Sequence, residues 1–233
     1  MSNIKDVAAL AGVSVTTVSR VLNKRGYISK EVYAKVYDAM ERLDYQPNQI
    51  ARSLYSQKTN CVGVLIPDVS HPFFAEIVKR IEGELNQQGY RIFLCNAVGD
   101  GVKEQEYLSM LRQNKVDGII IATHMLETSL YESLDLPIVA LDLELGESIP
   151  TVCSDHEKGG RLAAQELIRS GCRCVLNVGG NMDVNTPSIR RYHACEAMLR
   201  EAGVDCINAC LEQEFNRQTY QVEIERLLRQ YPQ

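Results

Sequence analysis

One run near the amino terminus, Gly12-Val13-Ser14-Val15-Thr16-Thr17-Val18-Ser19-Arg20-Val21-Leu22-Asn23, gathers hydroxyl, amide and guanidinium groups at helical spacing. With Val18, Val21 and Leu22 turned inward, Val15, Thr16, Thr17, Ser19, Arg20 and Asn23 stay outside, where they can reach base edges and phosphates in a major groove. Threonine methyls and Val15 suit thymine methyls, and Arg20 can fork onto guanine. Taken alone, the run also fits a surface helix of a generic helical subdomain. A second group, Asp68 with Ser70-His71-Pro72-Phe73-Phe74, follows the carboxyl end of an apolar run, CVGVLI. Ligands of doubly wound sheets bind at such strand ends. Aromatic faces suit the apolar faces of sugars or the planes of purines, and Asp68 and Ser70 can bind hydroxyls, although an aromatic pair at a helix start is also ordinary core material.

Catalytic signatures are missing from the sequence. There is no G-x-S-x-G elbow, P-loop or H-E-x-x-H, and Gly179-Gly180 is a loose pair rather than a G-x-G-x-x-G fingerprint. The eight cysteines are scattered without any C-x-x-C, which reads as small core residues in a reducing compartment and gives no zinc framework. Accordingly no catalytic residue, metal ligand or cofactor is assigned, and an enzyme is not expected.

Two kinds of scaffold must position these groups. Asn3 with Asp6 begins a short helix carrying Ile4, Val7, Ala8 and Ala11; Gly12 breaks it, and Ser14 caps the next, which ends near Asn23 with Val15, Val18, Val21 and Leu22 on its stripe. Ser29 caps a third helix with Val32, Tyr33, Val36, Ala39, Met40 and Leu43 in step, stopped before Pro47. From Cys61 the pattern changes to short β-rich runs alternating with longer helical stretches, which specifies βαβ units and a mainly parallel sheet. Gly146 and Pro150 interrupt the alternation, and a boundary between two lobes is placed near Ser154 to Glu157.

Charge divides along the same line. Residues 1–60 hold 9 Lys/Arg against 5 Asp/Glu, a balance of +4, whereas residues 61–233 hold 16 against 25, a balance of −9, for a net charge of −5. A basic head on an acidic body points to a polyanionic partner for the head alone. The apolar runs fall far short of the roughly 20 residues that span a bilayer. No basic-then-apolar leader opens the chain, so a cytoplasmic location without membrane contact is the default expectation. A solute-binding transport protein shares a two-lobed body, but it should be exported and lack the basic head.

Several segments taken together, IKDVAALAGVSVTTVSRVLN, YQPNQIARSL, CVGVLIPDVSHPFFAEI, DGIIIA, SDHEKGGRLAAQEL and RRYHACEAMLREAG, resemble the lactose-repressor/galactose-repressor (LacI/GalR) transcription factors in family order. The resemblance implies an all-α helix-turn-helix head plus an α/β doubly wound, two-lobed body of the periplasmic-binding-protein kind. It divides the chain into a DNA-binding domain over 1–46, a hinge helix and linker over 47–58, a first effector-binding lobe over 59–155 and part of a second lobe over 156–233. In such proteins Val15, Thr16 and Arg20 match base-reading positions, and Thr17, Ser19 and Asn23 match phosphate-contacting or helix-positioning ones. Asn48, Ala51 and Leu54 fall in a segment similar to the hinge helix, which folds when two protomers meet over operator DNA. Leu54 takes the place of an apolar wedge, a role a leucine can fill by unstacking a base step. The resemblance makes Phe73 and Phe74 effector-stacking residues and Asp142 and Arg191 effector contacts. Its partners would be operator double-stranded DNA, a small sugar or sugar phosphate, and a second copy of the chain, and its function that of a repressor.

Two departures stand out. Ala194 and Cys195 occupy places where the family usually carries glycine and a large aromatic, so Arg190 rivals Arg191 for the pocket position. The resemblance also implies further second-lobe strands, a further effector-binding acid and two interlobe crossovers beyond Gln233, so the second lobe is expected to be incomplete.

Overall fold

The computed structural model describes residues 2–23, 25–46, 58–97, 100–123, 126–179, 186–211 and 217–231. It consists of two compact units, Met1–Thr59 and Asn60–Gln233.

The first unit is three helices, α1 (Ile4–Ala11), α2 (Val15–Leu22) and α3 (Lys30–Arg42). Asn3 caps α1 in a reciprocal box: its Oδ1 accepts from the Asp6 amide at 3.3 Å as well as from the Lys5 amide at 2.8 Å, and the Asn3 amide donates to Asp6 Oδ2 at 2.8 Å. Gly12, at φ +66°, ends α1 in the left-handed conformation that glycine adopts without steric cost, so the chain can reverse into α2 after only Val13 and Ser14. Val7, Ala8, Ala11, Val18, Val21, Val36 and Ala39 are buried together, with Leu22, Val32, Tyr33, Met40 and Leu43 packed against them. The Ser2 hydroxyl donates to the Leu43 carbonyl at 2.8 Å, tying the chain start to the end of α3.

The second unit alternates strands and helices: β1 (Cys61–Ile66), α4 (Pro72–Gln87), β2 (Arg91–Asn96), α5 (Gly101–Gln113), β3 (Gly118–Ile121), α6 (Thr128–Glu132), β4 (Ile138–Leu141) and β5 (Thr151–Val152). After these come α7 (His156–Arg169), β6 (Cys174–Gly179), α8 (Ile189–Glu201), β7 (Asp205–Cys210) and α9 (Arg217–Gln230). The first five strands form one parallel sheet in the order β2-β1-β3-β4-β5, and β6 and β7 pair in parallel as a second sheet.

Strand side chains alternate between faces, and both faces of the larger sheet are covered. Val64, Ile66 and Ala122 are buried on one, with Phe74, Val78 and Ile81 of α4 against them. Leu65, Ile119 and Ile121 point to the other, where Leu108 and Leu111 of α5 and Tyr131 of α6 close the core. In the smaller sheet Val175 and Cys206 pack under Ala164 of α7 and Cys195 and Leu199 of α8. At the closest approach of α7 to α8, a Cβ on Gly160 would lie 2.1 Å from the Arg191 carbonyl oxygen.

The cysteines are less uniformly buried than their reading as small core residues predicts. Cys95 and Cys195 are buried, but Cys153, Cys174 and Cys210 are exposed, because they stand at strand termini or in connections; all eight are free thiols. Burial pushes the Cys95 thiol up to about 11, which removes it from thiolate chemistry.

Candidate functional site

Two places carry the chemistry, one in each unit. In the first, Ser14 holds the start of α2: its Oγ accepts from the Thr17 amide at 3.1 Å and lies 2.9 Å from the Thr17 hydroxyl. A helix turns about 100° per residue, so Val15, Ser19, Asn23, Thr16 and Arg20 fall within an arc of roughly 140°, opposite buried Val18 and Val21. Val15, Thr16 and Arg20 are exposed, while Thr17, Ser19 and Asn23 are half-buried. Val15 is 41% exposed and thus leaves the buried stripe to its neighbours. The half-buried group serves the helix itself, since Asn23 Nδ2 donates to the Ser19 carbonyl at 2.9 Å and Thr17 shares the cap. A clean polar face remains, with one cation, Arg20, in its last turn. Asn48, Ala51 and Leu54 lie outside the described residues.

In the second unit, strand order β2-β1-β3 reverses direction of winding at β1, and doubly wound sheets commonly bind ligands outside the carboxyl ends of the strands at such a reversal. Asp68, Ser70, Phe73 and Phe74 stand at that end of β1. The Ser70 amide and hydroxyl each donate to an Asp68 carboxylate oxygen at 2.8 Å, which holds the Asp68 carboxyl below its ordinary value. The Phe73 and Phe74 rings meet edge to face at 5.1 Å and have different surroundings: Phe74 packs on the sheet core, whereas Phe73 is 47% exposed and offers an open aromatic face. His71 caps α4, its Nδ1 accepting from the Phe73 amide at 3.3 Å.

Asp142 follows β4 directly, at φ +57°. Its carboxylate meets His156, the first residue of α7, with Nε2 to Oδ1 at 2.5 Å. Two residues on, Glu144 pairs with Arg190 near the start of α8. Arg191 instead lays its guanidinium 5.8 Å from the centroid of the Tyr192 ring. Glu144 thus ties Arg190, the rival of Arg191 for the pocket position, to the connection after β4. A groove of about 550 Å³ lies elsewhere, between α7 and α8, lined by Arg161, Arg190, His193 and Met198 among others. Its arginines are paired, Arg161 with Glu157 and Arg190 with Glu144. Among the described residues no group of His, Cys, Asp and Glu is placed to hold a metal ion, and no helix is long and apolar enough to cross a membrane.

Comparison with known proteins settles the lineage. Residues 3–48 match the family of bacterial regulatory proteins, lacI family, and residues 59–233 match the periplasmic binding proteins and sugar binding domain of LacI family. The chain belongs to the LacI family. Over 232 residues this LacI-family chain is 41% identical to the ribose operon repressor of Halalkalibacterium halodurans, covering all of this chain and 69% of that one. It is 40% identical over 204 residues to the sucrose operon repressor of Streptococcus mutans serotype c, covering 88% of this chain and 64% of the relative. The chain thus spans about two thirds of the length of these curated relatives. Among solved structures it is similar to a periplasmic binding protein/LacI transcriptional regulator from Alkaliphilus metalliredigens complexed with D-xylulofuranose. The TM-score is 0.63 and the identity 30%, over 67% of this chain and 58% of that one. The LacI-family head and the periplasmic-binding-protein-like α/β body expected from sequence are both present.

Sequence patterning gives His156 and Glu144 no weight, although each meets a charged group from a distant part of the LacI-family body. The signal for His156 is its place after Asp155, whose Oδ1 caps α7 by accepting from the Lys158 amide at 3.0 Å. The cap fixes where α7 begins, and the ring of its first residue lies against Asp142 at the end of β4.

Proposed function

We propose that this chain acts as a sequence-specific, DNA-binding repressor of a carbohydrate-utilisation operon, controlled by a small sugar-like effector held between two α/β lobes. The observation that carries this reading is the exposed face of the capped helix α2, where Val15, Thr16 and Arg20 are open while Val18 and Val21 anchor the helix from behind. A short rigid helix with its polar side free and a basic balance around it suits a major groove. In this reading Val15, Thr16 and Arg20 read bases, while Thr17, Ser19 and Asn23 touch phosphates or position the helix. Asn48, Ala51 and Leu54, in a hinge over 47–58, take the minor groove when two copies pair on operator DNA.

The effector is assigned to the region beyond the carboxyl ends of β1 and β4. Phe73 and Phe74 would stack on it, and Asp68, Ser70, Asp142 and Arg191 would bind its hydroxyls or a phosphate. The relatives named for ribose and sucrose operons, and the neighbour holding D-xylulofuranose, support a sugar. On this account residues 59–155 form the first lobe and 156–233 belong to the second, and the protein works in the cytoplasm as a homodimer without a cofactor. Selection of binding sites from random duplexes tests the proposal. An enriched, two-fold symmetric motif supports it, whereas retention of all sequences alike, with affinity set by salt alone, would overturn it.

A further inference from the structure

We infer that His156 is the positioning residue of the effector site. Its imidazole fixes the Asp142 carboxylate for a ligand hydroxyl and links that carboxylate to the second lobe. The inference rests on the reading of Asp142 as an effector contact. It starts from three observations. Asp142 adopts φ +57°, a left-handed conformation that a non-glycine residue takes at some cost, and its amide still donates to the Val152 carbonyl at 2.9 Å. The backbone thus stays in register with β5 while the side chain turns off the end of β4. His156 Nε2 then lies 2.5 Å from Asp142 Oδ1, with the imidazole only 6% exposed and the Asp142 side chain 25% exposed. One carboxylate oxygen is held against a buried ring, and about a quarter of the Asp142 side chain remains open to solvent.

An ionised carboxylate only accepts hydrogen bonds, so Nε2 carries the proton in this contact. With Oδ1 engaged, the rotation of the carboxylate is fixed and Oδ2 is presented in one direction. A polyol hydroxyl donating to Oδ2 then meets an acceptor that is already oriented, which lowers the ordering cost of binding. A carboxylate free to rotate would have to be ordered by the ligand itself.

The same bond has a second consequence. Asp142 directly follows β4 of the five-stranded sheet, while His156 opens α7, which covers β6 and β7. Glu144, on the same connection, pairs with Arg190 of α8. Both ties leave the segment after β4 and end on the first turns of the two helices that cover the second sheet. A ligand drawing on Asp142 acts directly on one of them, so it has a physical route to bias the arrangement of the two sheets.

The test uses the full chain and three probes, D-ribose, sucrose and D-xylulose, titrated calorimetrically. His156→Phe keeps the ring shape and removes the donor, whereas His156→Gln places an amide N–H near the position of Nε2. For whichever probe the unsubstituted chain binds, His156→Phe is expected to weaken binding at least tenfold at a temperature well below its melting point, and His156→Gln to stay within about threefold. Equal binding by the unsubstituted chain and His156→Phe would overturn the inference and leave the effector reading standing. Equal loss in both variants would reduce His156 to packing and also overturn it. If His156→Phe does not fold, His156→Gln decides alone, since loss of affinity in that variant contradicts the role. Binding of none of the probes by the unsubstituted chain would bring down the effector reading and the inference with it. A ligand-free measurement stands beside these: ring ¹⁵N shifts of His156 should show a protonated Nε2. A neutral ring protonated only on Nδ1 would overturn the inference whatever the sugars do.

Discussion

Arg20 and Asp68 illustrate opposite uses of charge in this protein. Arg20 is exposed on α2 and free to fork onto a guanine, so Arg20→Ala is expected to cost about 1–3 kcal/mol of specific affinity and to relax preference at one base pair. Site selection with both proteins measures this, and an unchanged motif would remove Arg20 from base reading. Asp68 instead spends its charge locally, accepting from the Ser70 amide and hydroxyl. Its folded carboxyl is depressed, so the associated stability is present above the unfolded value, roughly 3.9, and is lost as pH falls through the lower folded value. Ser70→Ala removes the hydroxyl donor and should move the Asp68 titration midpoint upward toward the ordinary value. The variant's stability deficit at neutral pH should fade in acid. A carboxyl-carbon NMR titration and urea midpoints at pH 7 and pH 3 check both parts. At this scale the exposed face of α2 was legible in the sequence, because periodicity alone separates Val18 and Val21 from Thr16 and Arg20. The pairing of Asp142 with His156 was not, because it depends on a left-handed residue after β4 and on where α7 begins.

At the scale of elements, the second sheet depends on how closely its helices approach. Gly160 faces the Arg191 carbonyl, where an added Cβ would lie at 2.1 Å, while its neighbour in α7, Gly159, has open space around it. Gly160→Ala should force α7 and α8 apart and destabilise this region by about 1–3 kcal/mol. Gly159→Ala should do the reverse, raising stability by roughly 0.5–1 kcal/mol through helix propensity alone. Hydrogen exchange of the α7 and α8 amides reads the contrast, and equal effects from the two substitutions would disprove the close-contact account. The elements themselves were the most legible part of the fold. Caps at Asn3, Ser14 and Ser29, the glycine at 12 and the apolar run of β1 each act through neighbours in the chain, and local chemistry is what a sequence displays directly. The crossing of α7 over α8 pairs residues 31 positions apart through a backbone carbonyl, and a carbonyl leaves no trace in residue type.

At the scale of the molecule, the chain joins a basic three-helix unit, with a balance of +4 over residues 1–60, to an acidic α/β unit with a balance of −9. Counterion release makes DNA affinity fall steeply with salt, and this dependence should come from the head, with the acidic unit adding no phosphate contacts. Charge reversal at the exposed Lys79 of α4 (Lys79→Glu) is therefore expected to leave the salt slope unchanged, whereas Arg20→Glu, on the exposed face of α2, should lower it. The central claim is that one chain couples sequence-specific DNA binding to a sugar. The most direct test is fluorescence anisotropy of a selected duplex titrated with the chain at fixed salt, with and without saturating D-ribose, sucrose or D-xylulose. The account predicts that at least one sugar shifts the specific affinity by about fivefold or more while binding to a scrambled duplex stays constant. Identical curves for the selected and scrambled duplexes, or a specific curve that none of the sugars moves, would contradict it.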